Sequence, residues 1–536
     1  MSLVSGGLLS LAWPERGFPG FLFIGFVPLL WIENHLFENR TLYRKLSAFY
    51  YSYPAFLAWN GLTTWWICNS TGIGAIMAVI LNSMFMALIF QMFHFTRSWS
   101  RNPFIGYFAL VCYWISFEYL HLNWELNWPW LNLGNGFGSW YKWVQWYEYT
   151  GALGGTLWVL VANILGFELF WLLASGFWQK KASGQQPAAS SLIIHALLLA
   201  SWILLPIILS VNIYKNYKEE SHPVNVVVVQ PNLDPYKEQY SIPPSEVIAR
   251  IMQLASPLID STTNFLVAPE SALQQEMWEN DMESFESIRI LHRIVTKYPN
   301  LNFLIGGSTF YEFQNGAPLP HTARKFGNGK GYYNAYNTAI MVNGTRKLQL
   351  YHKSKLTPGV ESLPSYKGFS WLEKYAIDLG GIVGSLGTDT VRKVYQTFNS
   401  VPAGPTICYE SIFGEFFAEF VRNGAQVMFI ITNDGWWGNT AGHRQHYAFA
   451  HLRAIETRRC IARSANTGIS AFIDQRGDAS QVTKYWEPAA IKGTINSNNK
   501  RTFYVMHGDL IARIAVWAGL LVIIGSMGIG FFKRKS

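Results

Sequence analysis

The sequence predicts a multi-span α-helical membrane domain of about eight transmembrane helices, joined to an α/β domain outside the membrane. Three observations predict it. Half of the 536 residues are hydrophobic and 16% are aromatic, but only 14% are charged, whereas a soluble domain is nearer a quarter charged. Long apolar stretches crowd the chain up to about residue 213 and recur once near its end. Between them lie short β-rich apolar runs alternating with helix-like stretches, the pattern of an α/β domain with a buried sheet.

A membrane helix needs about 20 apolar residues. Spans are predicted at roughly 3–13, 19–36, 47–68, 73–95, 104–121, 156–176, 191–213 and 510–532, the first of them short. "NRTLYRK", "RSWSRN" and "QKK" follow the second, fourth and sixth spans, and the chain ends "FKRKS". With eight spans all four basic segments fall on one side, which is therefore expected to be cytoplasmic. Both termini then lie inside, and the polar region between the seventh and eighth spans lies outside. The domains expected are 1–213 with seven helices, 214–509 as the extracytoplasmic domain, and 510–536 as the last helix with its basic tail. No A-x-A-like site follows the first apolar run, so no cleaved leader is expected. "KKASGQQPAASS" reads as a short flexible loop.

The formal charge of +9 is carried largely by those short loops, and no basic, aromatic-interleaved patch suggests a nucleic-acid partner. "LNWELNWPWLNLGNGFGSWYKWVQWYEYTG" is crowded with Trp and Tyr. It reads as an aromatic belt at the outer interface, or as a lipid-binding surface, which has the same chemistry. Four cysteines make no disulfide scaffold. Cys68 and Cys112 lie in apolar segments and are expected to be buried, as is Cys460.

In the external region several strand-like runs end in a reactive residue. "NFLVA" ends at Pro269-Glu270, "KLQLY" runs into Lys353, and "PTI" delivers Cys408. Sites in open α/β sheets gather beyond the carboxyl ends of strands, so the three can converge. Cys408 alone reads as a core thiol, half of a disulfide with Cys460, a metal ligand or a nucleophile. A carboxylate that takes the thiol proton and an ammonium that steadies an oxyanion suit acyl transfer. Glu270 also reads as a helix cap, and Glu361 and Trp436 as a loop charge and a packing residue. His443, His446 and His451 invite a zinc reading but lack H-E-x-x-H spacing. They are expected on an ordinary helix, with no metal.

"PES" at 269–271, "YHKSKLTPGVE" at 351–361 and "CYESIFGE" at 408–415, in that order, resemble the three signatures of the nitrilase superfamily. Eight spans around one external domain of this kind are similar to its membrane-embedded branch, the apolipoprotein N-acyltransferase family. "QPN" at 230–232, "YN" at 336–337, "NDGWWG" at 433–438 and "RAIETRRCIARSANTGIS" at 453–470 support the resemblance. It implies an αββα sandwich with Glu270 as base, Lys353 as oxyanion-stabilising cation and Cys408 as nucleophile. It implies that Glu361 orients the lysine, that Tyr409 and Glu410 flank the nucleophile, and that Asn337 and Trp436 line the site. Where relatives often have K-x-H-L this chain has Lys355, so two lysines compete, and the spacing to Glu361 favours Lys353. "LDPYKEQY" after "QPN" leaves the family's nearby aromatic contact unassigned.

The resemblance further implies a monomeric enzyme of the bacterial inner membrane, its catalytic domain periplasmic, without cofactor or metal. It implies a phospholipid acyl donor, a Cys thioester intermediate and a diacylglyceryl apolipoprotein acceptor. The rivals are a membrane-tethered amidase, in which water takes the acyl group, and a transporter or receptor. The latter predicts charges within the spans, and few are evident.

Overall fold

The computed structural model describes every residue except 16, 184–188, 328, 346, 363–384, 398–399 and 536. The loop expected at "KKASGQQPAASS" falls partly on 184–188 and so lies outside the described residues. The chain divides into two compact units: Met1–Cys68, Gly72–Asn216 and His507–Ser536 form the first, and Asn69–Thr71 with Tyr217–Met506 the second.

Helices occupy all eight stretches predicted as spans. Among the described residues, six segments are long and apolar enough to cross a membrane: Pro19–Glu38, Gly72–Ser100, Pro103–Leu122, Ala152–Ser175, Ser190–Asn216 and Leu510–Gly528. The other two differ for physical reasons. Ser2–Leu11 has 10 residues, about 15 Å of helix, half of a hydrocarbon core of roughly 30 Å. Ser47–Thr64 has 18 residues but carries Ser52, Asn60, Thr63 and Thr64, all buried within the unit.

Buried polar groups tie these helices together. Glu33 pairs with Arg97 and accepts from His94 Nδ1 at 2.9 Å, and Arg97 also donates to Asn34 Oδ1 at 2.6 Å. The charges are thus more numerous than the sequence suggests, but these are paired and buried. Glu118 accepts from Trp114 Nε1 (3.0 Å), Thr156 Oγ1 (2.6 Å) and the Leu133 N–H (2.9 Å). That last bond anchors the Trp-rich loop, which is only partly a surface belt. Trp130, Leu131, Phe137 and Tyr147 are buried, whereas Trp124 and Trp140 are exposed. Cys68 is exposed rather than buried, because the helix gives way at Trp65–Asn69 to a 3-10 turn.

The second unit contains two sheets. Strands β1 (Pro223–Gln230), β2 (Phe265–Val267), β3 (Leu273–Trp278), β4 (Asn302–Phe313), β5 (Arg324–Lys325), β6 (Tyr332–Val342) and β7 (Gln349–His352) belong to the larger. β8 (Ala403–Ile407), β9 (Val427–Thr432), β10 (Ile461–Ala465), β11 (Ala471–Ile473) and β12 (Ala479–Ser480) form the smaller. β13 (Ala489–Asn496) returns to the larger sheet beside β1, giving the order β13-β1-β2-β4-β6-β5, with β3 on β4 and β7 on β6. The smaller sheet has the order β12-β11-β10-β9-β8.

Successive strand residues point to opposite faces, and both faces of the larger sheet are covered. Val227, Val229 and Leu266 pack on one side with Val247, Ile251, Leu291 and Val295 from the helices Pro244–Ala255 and Glu286–Lys297. On the other side Phe265 meets Phe429 of β9 edge-on at 4.9 Å, and Ser464 Oγ of β10 donates to the Val229 carbonyl. Helices Gly414–Arg422 and Ala441–Thr457 accompany the smaller sheet. The layers are therefore helix, sheet, sheet, helix. Strands buried on both faces read as continuous apolar runs, which "VNVVVV" and "VMFIIT" are.

Glu33→Ala leaves a buried guanidinium without its carboxylate and should destabilise the full chain by about 3 kcal/mol or more. Glu33→Leu combined with Arg97→Met should recover most of that loss. Thermal unfolding in detergent measures both.

Candidate active site

β2 and β7 belong to one sheet and β8 to the other, so the reactive residues converge between two facing sheets rather than along the edge of one. Glu270 lies two residues past the end of the Phe265–Ala268 run. The loop carrying it is laced to β4: the Ala268 N–H donates to Leu304 O (2.8 Å), the Gly306 N–H to Pro269 O and the Ala272 N–H to Gly306 O (both 3.0 Å). Its backbone lies so close to β4 that a Cβ on Gly306 would be 2.6 Å from Glu270 Cα. Only glycine fits there.

Lys353 follows β7 directly, and its N–H donates to Asn337 O on β6 at 2.8 Å. Its ammonium is buried between two carboxylates, 3.1 Å from Glu270 Oε1 and 2.9 Å from Glu361 Oε1. Burial alone would lower the lysine pKa, but the Glu270 and Glu361 charges outweigh it and hold it well above the usual range. Burial likewise pushes Glu361 up, but the Lys353 charge dominates and the carboxyl stays below its ordinary value. Asn337 Nδ2 donates to both carboxylates, at 2.8 Å to Glu270 and 3.0 Å to Glu361. Glu270 Oε2 accepts from the Asn433 N–H (3.0 Å) and Glu361 Oε2 from the Thr357 N–H (3.0 Å). Asn337 Oδ1 is buried with no hydrogen-bond partner among the described residues.

Cys408 ends β8 with φ = 51°, left-handed backbone that costs a non-glycine residue about 1–3 kcal/mol. Glu410 helps to enforce that corner. Its Oε2 reaches back to the Ile407 N–H (2.9 Å), while Oε1 accepts from Tyr351 O–H (2.7 Å) and from the Ser354 and Lys355 N–H groups (2.5 and 3.2 Å). One buried carboxylate thus ties the nucleophile turn to the segment carrying Lys353. Burial raises the Glu410 pKa against those hydrogen bonds. Burial and the Glu270 charge push the Cys408 thiol well above its ordinary value, although Lys353 opposes them. The buried site thus favours the neutral thiol over the thiolate.

Glu270, Asn337, Lys353, Glu361, Cys408 and Trp436 line one cavity of about 120 Å³, large enough to hold water or a small reacting group. Tyr409 and Glu410 do not line it. Tyr409 is buried edge-on against Phe413 (5.2 Å). Lys355 points elsewhere, with its Nζ over the Phe413 ring at 5.0 Å, and burial lowers its pKa to about 8. Lys353 is the lysine between the carboxylates.

Residues 226–502, more than half of the chain, match the carbon-nitrogen hydrolase family. The chain belongs to the carbon-nitrogen hydrolase family. Residues 5–165 match the apolipoprotein N-acyltransferase N-terminal domain, the resemblance that the layout of spans around one external domain implied. Curated relatives resemble it end to end. A protein of Chlorobaculum tepidum named apolipoprotein N-acyltransferase is 27% identical across 98% of this chain and 96% of its own. One of the same name from Geobacter metallireducens is 25% identical across 100% and 95%.

Several residues of this carbon-nitrogen hydrolase site were not singled out in the sequence. Tyr236, in the unassigned "LDPYKEQY", stacks edge-on against Trp436 (5.1 Å) and donates from its hydroxyl to the Trp436 carbonyl (2.9 Å). The signal was an aromatic within the stretch where that contact was left unassigned. Ser70 lines the cavity, and Asn69 Nδ2 donates to Trp437 O at 2.8 Å. No sequence feature marks that segment. His446 is not an ordinary helix residue: it is fully buried, 3.1 Å from the Cys408 carbonyl. Donor atoms of Cys408, Asp434 and His446 lie within 4.8 Å of one another, but the Arg463 guanidinium already donates to Asp434 Oδ2 at 2.6 Å. The positive charge at that carboxylate is supplied by arginine. All four cysteines are free, so Cys408 and Cys460 form no disulfide.

Gly306→Ala should displace Glu270 and slow alkylation of Cys408 by an uncharged maleimide about 10²-fold, the low end of what a positioned base contributes. Intact-mass spectrometry in a Cys68→Ser background reads the rate, because Cys68 is exposed.

Proposed function

We propose that this protein transfers an acyl chain from a membrane phospholipid, through a thioester on Cys408, to the α-amino group of the diacylglyceryl cysteine of apolipoproteins. The observation that carries the proposal is the shared cavity of Cys408, Glu270 and Lys353 in a chain whose end-to-end relatives bear the name apolipoprotein N-acyltransferase.

The steps follow from the geometry. Glu270 takes the Cys408 proton as the sulfur attacks the ester carbonyl carbon. The developing oxyanion is steadied by the Lys353 ammonium, which its two carboxylates keep charged. Collapse breaks the ester C–O bond, and Glu270 returns the proton to the lysophospholipid oxygen. The neutral amine of the acceptor then attacks the thioester carbonyl. The C–S bond breaks, the amine loses a proton to Glu270, and Glu270 passes it to the sulfur. Glu361 and Asn337 hold Lys353 and Glu270 at the required separation, and Trp436, packed against Tyr236, borders the cavity on one side.

Placement follows from the charged loops. The basic segments after the second, fourth and sixth predicted spans and at the C-terminus support cytoplasmic termini and a periplasmic catalytic unit in the inner membrane. The protein acts as a monomer on this reading.

Incubation of the purified protein with phospholipid should add one acyl group at Cys408, found by mass spectrometry. A diacylglyceryl peptide with a free amine should release it much faster than water does. An adduct on another residue defeats the mechanism, and equal release by water identifies a hydrolase.

A further inference from the structure

The groups that hold Cys408 in its left-handed corner extend beyond those assigned to the chemistry. The Cys408 carbonyl accepts the Ser411 hydroxyl at 2.7 Å and lies 3.1 Å from His446 Nε2. Ser411 has one hydroxyl hydrogen, and the carbonyl takes it. His446 Nε2, also 2.9 Å from Ser411 Oγ, must therefore carry the donor hydrogen at this corner.

The other edge of the imidazole is held through Arg463. With the hydrogen on Nε2, Nδ1 accepts from Arg463 Nη2 at 3.2 Å, and Asp434 Oδ1, 3.0 Å from the same nitrogen, belongs to the carboxylate that anchors that guanidinium. Thr432 Oγ1 donates to Asp434 Oδ1 at 2.6 Å, and Arg463 Nη2 to Asp434 Oδ2 at 2.6 Å. Arg463 is held in turn through Nε by the Ile469 carbonyl at 3.0 Å. His446, Asp434, Arg463 and Ser411 are all buried, and none of them lines the cavity. β9, β10 and the helix Ala441–Thr457 thus each contribute to one polar cluster that terminates on the backbone of the nucleophile.

We infer that His446 is a positioning residue: clamped by Asp434 and Arg463, it donates to the Cys408 carbonyl and locks the left-handed turn that presents the thiol to Glu270 and Lys353. The inference rests on the acyl-transfer reading above. It acts through backbone orientation, so its loss should lower turnover and leave phospholipid affinity alone. A displacement of about 1 Å in a reacting group costs on the order of 10²-fold.

The test compares His446→Gln, which keeps a donor N–H near the place of Nε2, with His446→Leu, which keeps bulk and removes the donor. Full-length protein is used in a Cys68→Ser background. His446→Leu should lower kcat about 10²-fold with KM for phospholipid unchanged, whereas His446→Gln should stay within about threefold of the parent. Equal activity of the Leu and Gln variants overturns the inference. Should His446→Leu not fold, Ser411→Ala removes the companion hydrogen bond. A kcat about tenfold lower at constant KM supports the locked corner, and an unchanged kcat overturns it. Alkylation of Cys408 by a maleimide, which needs no lipid, should slow in His446→Leu and not in His446→Gln. This readout separates failure of the inference from failure of the acyl-transfer proposal, which the wild-type adduct tests by itself.

Discussion

The site depends on one buried ammonium held by two carboxylates. Removing Lys353 from water is costly, and Glu270 and Glu361 offset that cost only because each has further donors. Asn337 Nδ2 bonds to both, and backbone N–H groups of Asn433 and Thr357 take one oxygen each. The cluster therefore fixes the spacing of four chain segments that are remote in sequence. Burial, helped by the Glu270 charge and opposed by Lys353, raises the Cys408 thiol pKa, so on the acyl-transfer reading the sulfur is activated only as its proton leaves.

A second buried carboxylate does for the backbone what the first cluster does for the side chains. Glu410 lies two residues past the thiol, yet it does not line the cavity that Cys408 enters. It instead accepts from Ile407, Ser354, Lys355 and Tyr351, joining the end of a strand in one sheet to the loop beyond a strand of the other. On the acyl-transfer reading the base is Glu270, whose loop lies against Gly306. The two sheets meet through apolar contacts such as Phe265 on Phe429, but these polar bonds decide their register at the site.

Much of this was legible because each reactive residue ends an apolar run. Glu270, Lys353 and Cys408 interrupt hydrophobic stretches at the point where a buried strand must stop, and a polar residue there needs a reason. What stayed hidden depends on packing at long range. β13 is only half-buried and its "AAIKGTIN" carries no strong period. His446 sits on a helix buried on nearly every side, so no amphipathic pattern shows which face it presents. Asn433 acts through its backbone, which no side-chain pattern reveals. Cys68 was misjudged because composition does not show where a helix unwinds. Ser47–Thr64 is polar for a span because its neighbours in the unit, rather than lipid, receive those polar groups.

The ion pair between Glu33 and Arg97 has a consequence for biogenesis. The two residues are 64 positions apart, so at a synthesis rate of about 5–20 residues per second Glu33 emerges roughly 3–13 s before its partner. Through that interval the segment Pro19–Glu38 holds a carboxyl without its cation, which a hydrocarbon environment disfavours. It can settle in the bilayer only provisionally, near the interface, until the helix Gly72–Ser100 delivers Arg97. Membrane integration of the first half of this chain is therefore cooperative, with the fourth helix completing the insertion of the second.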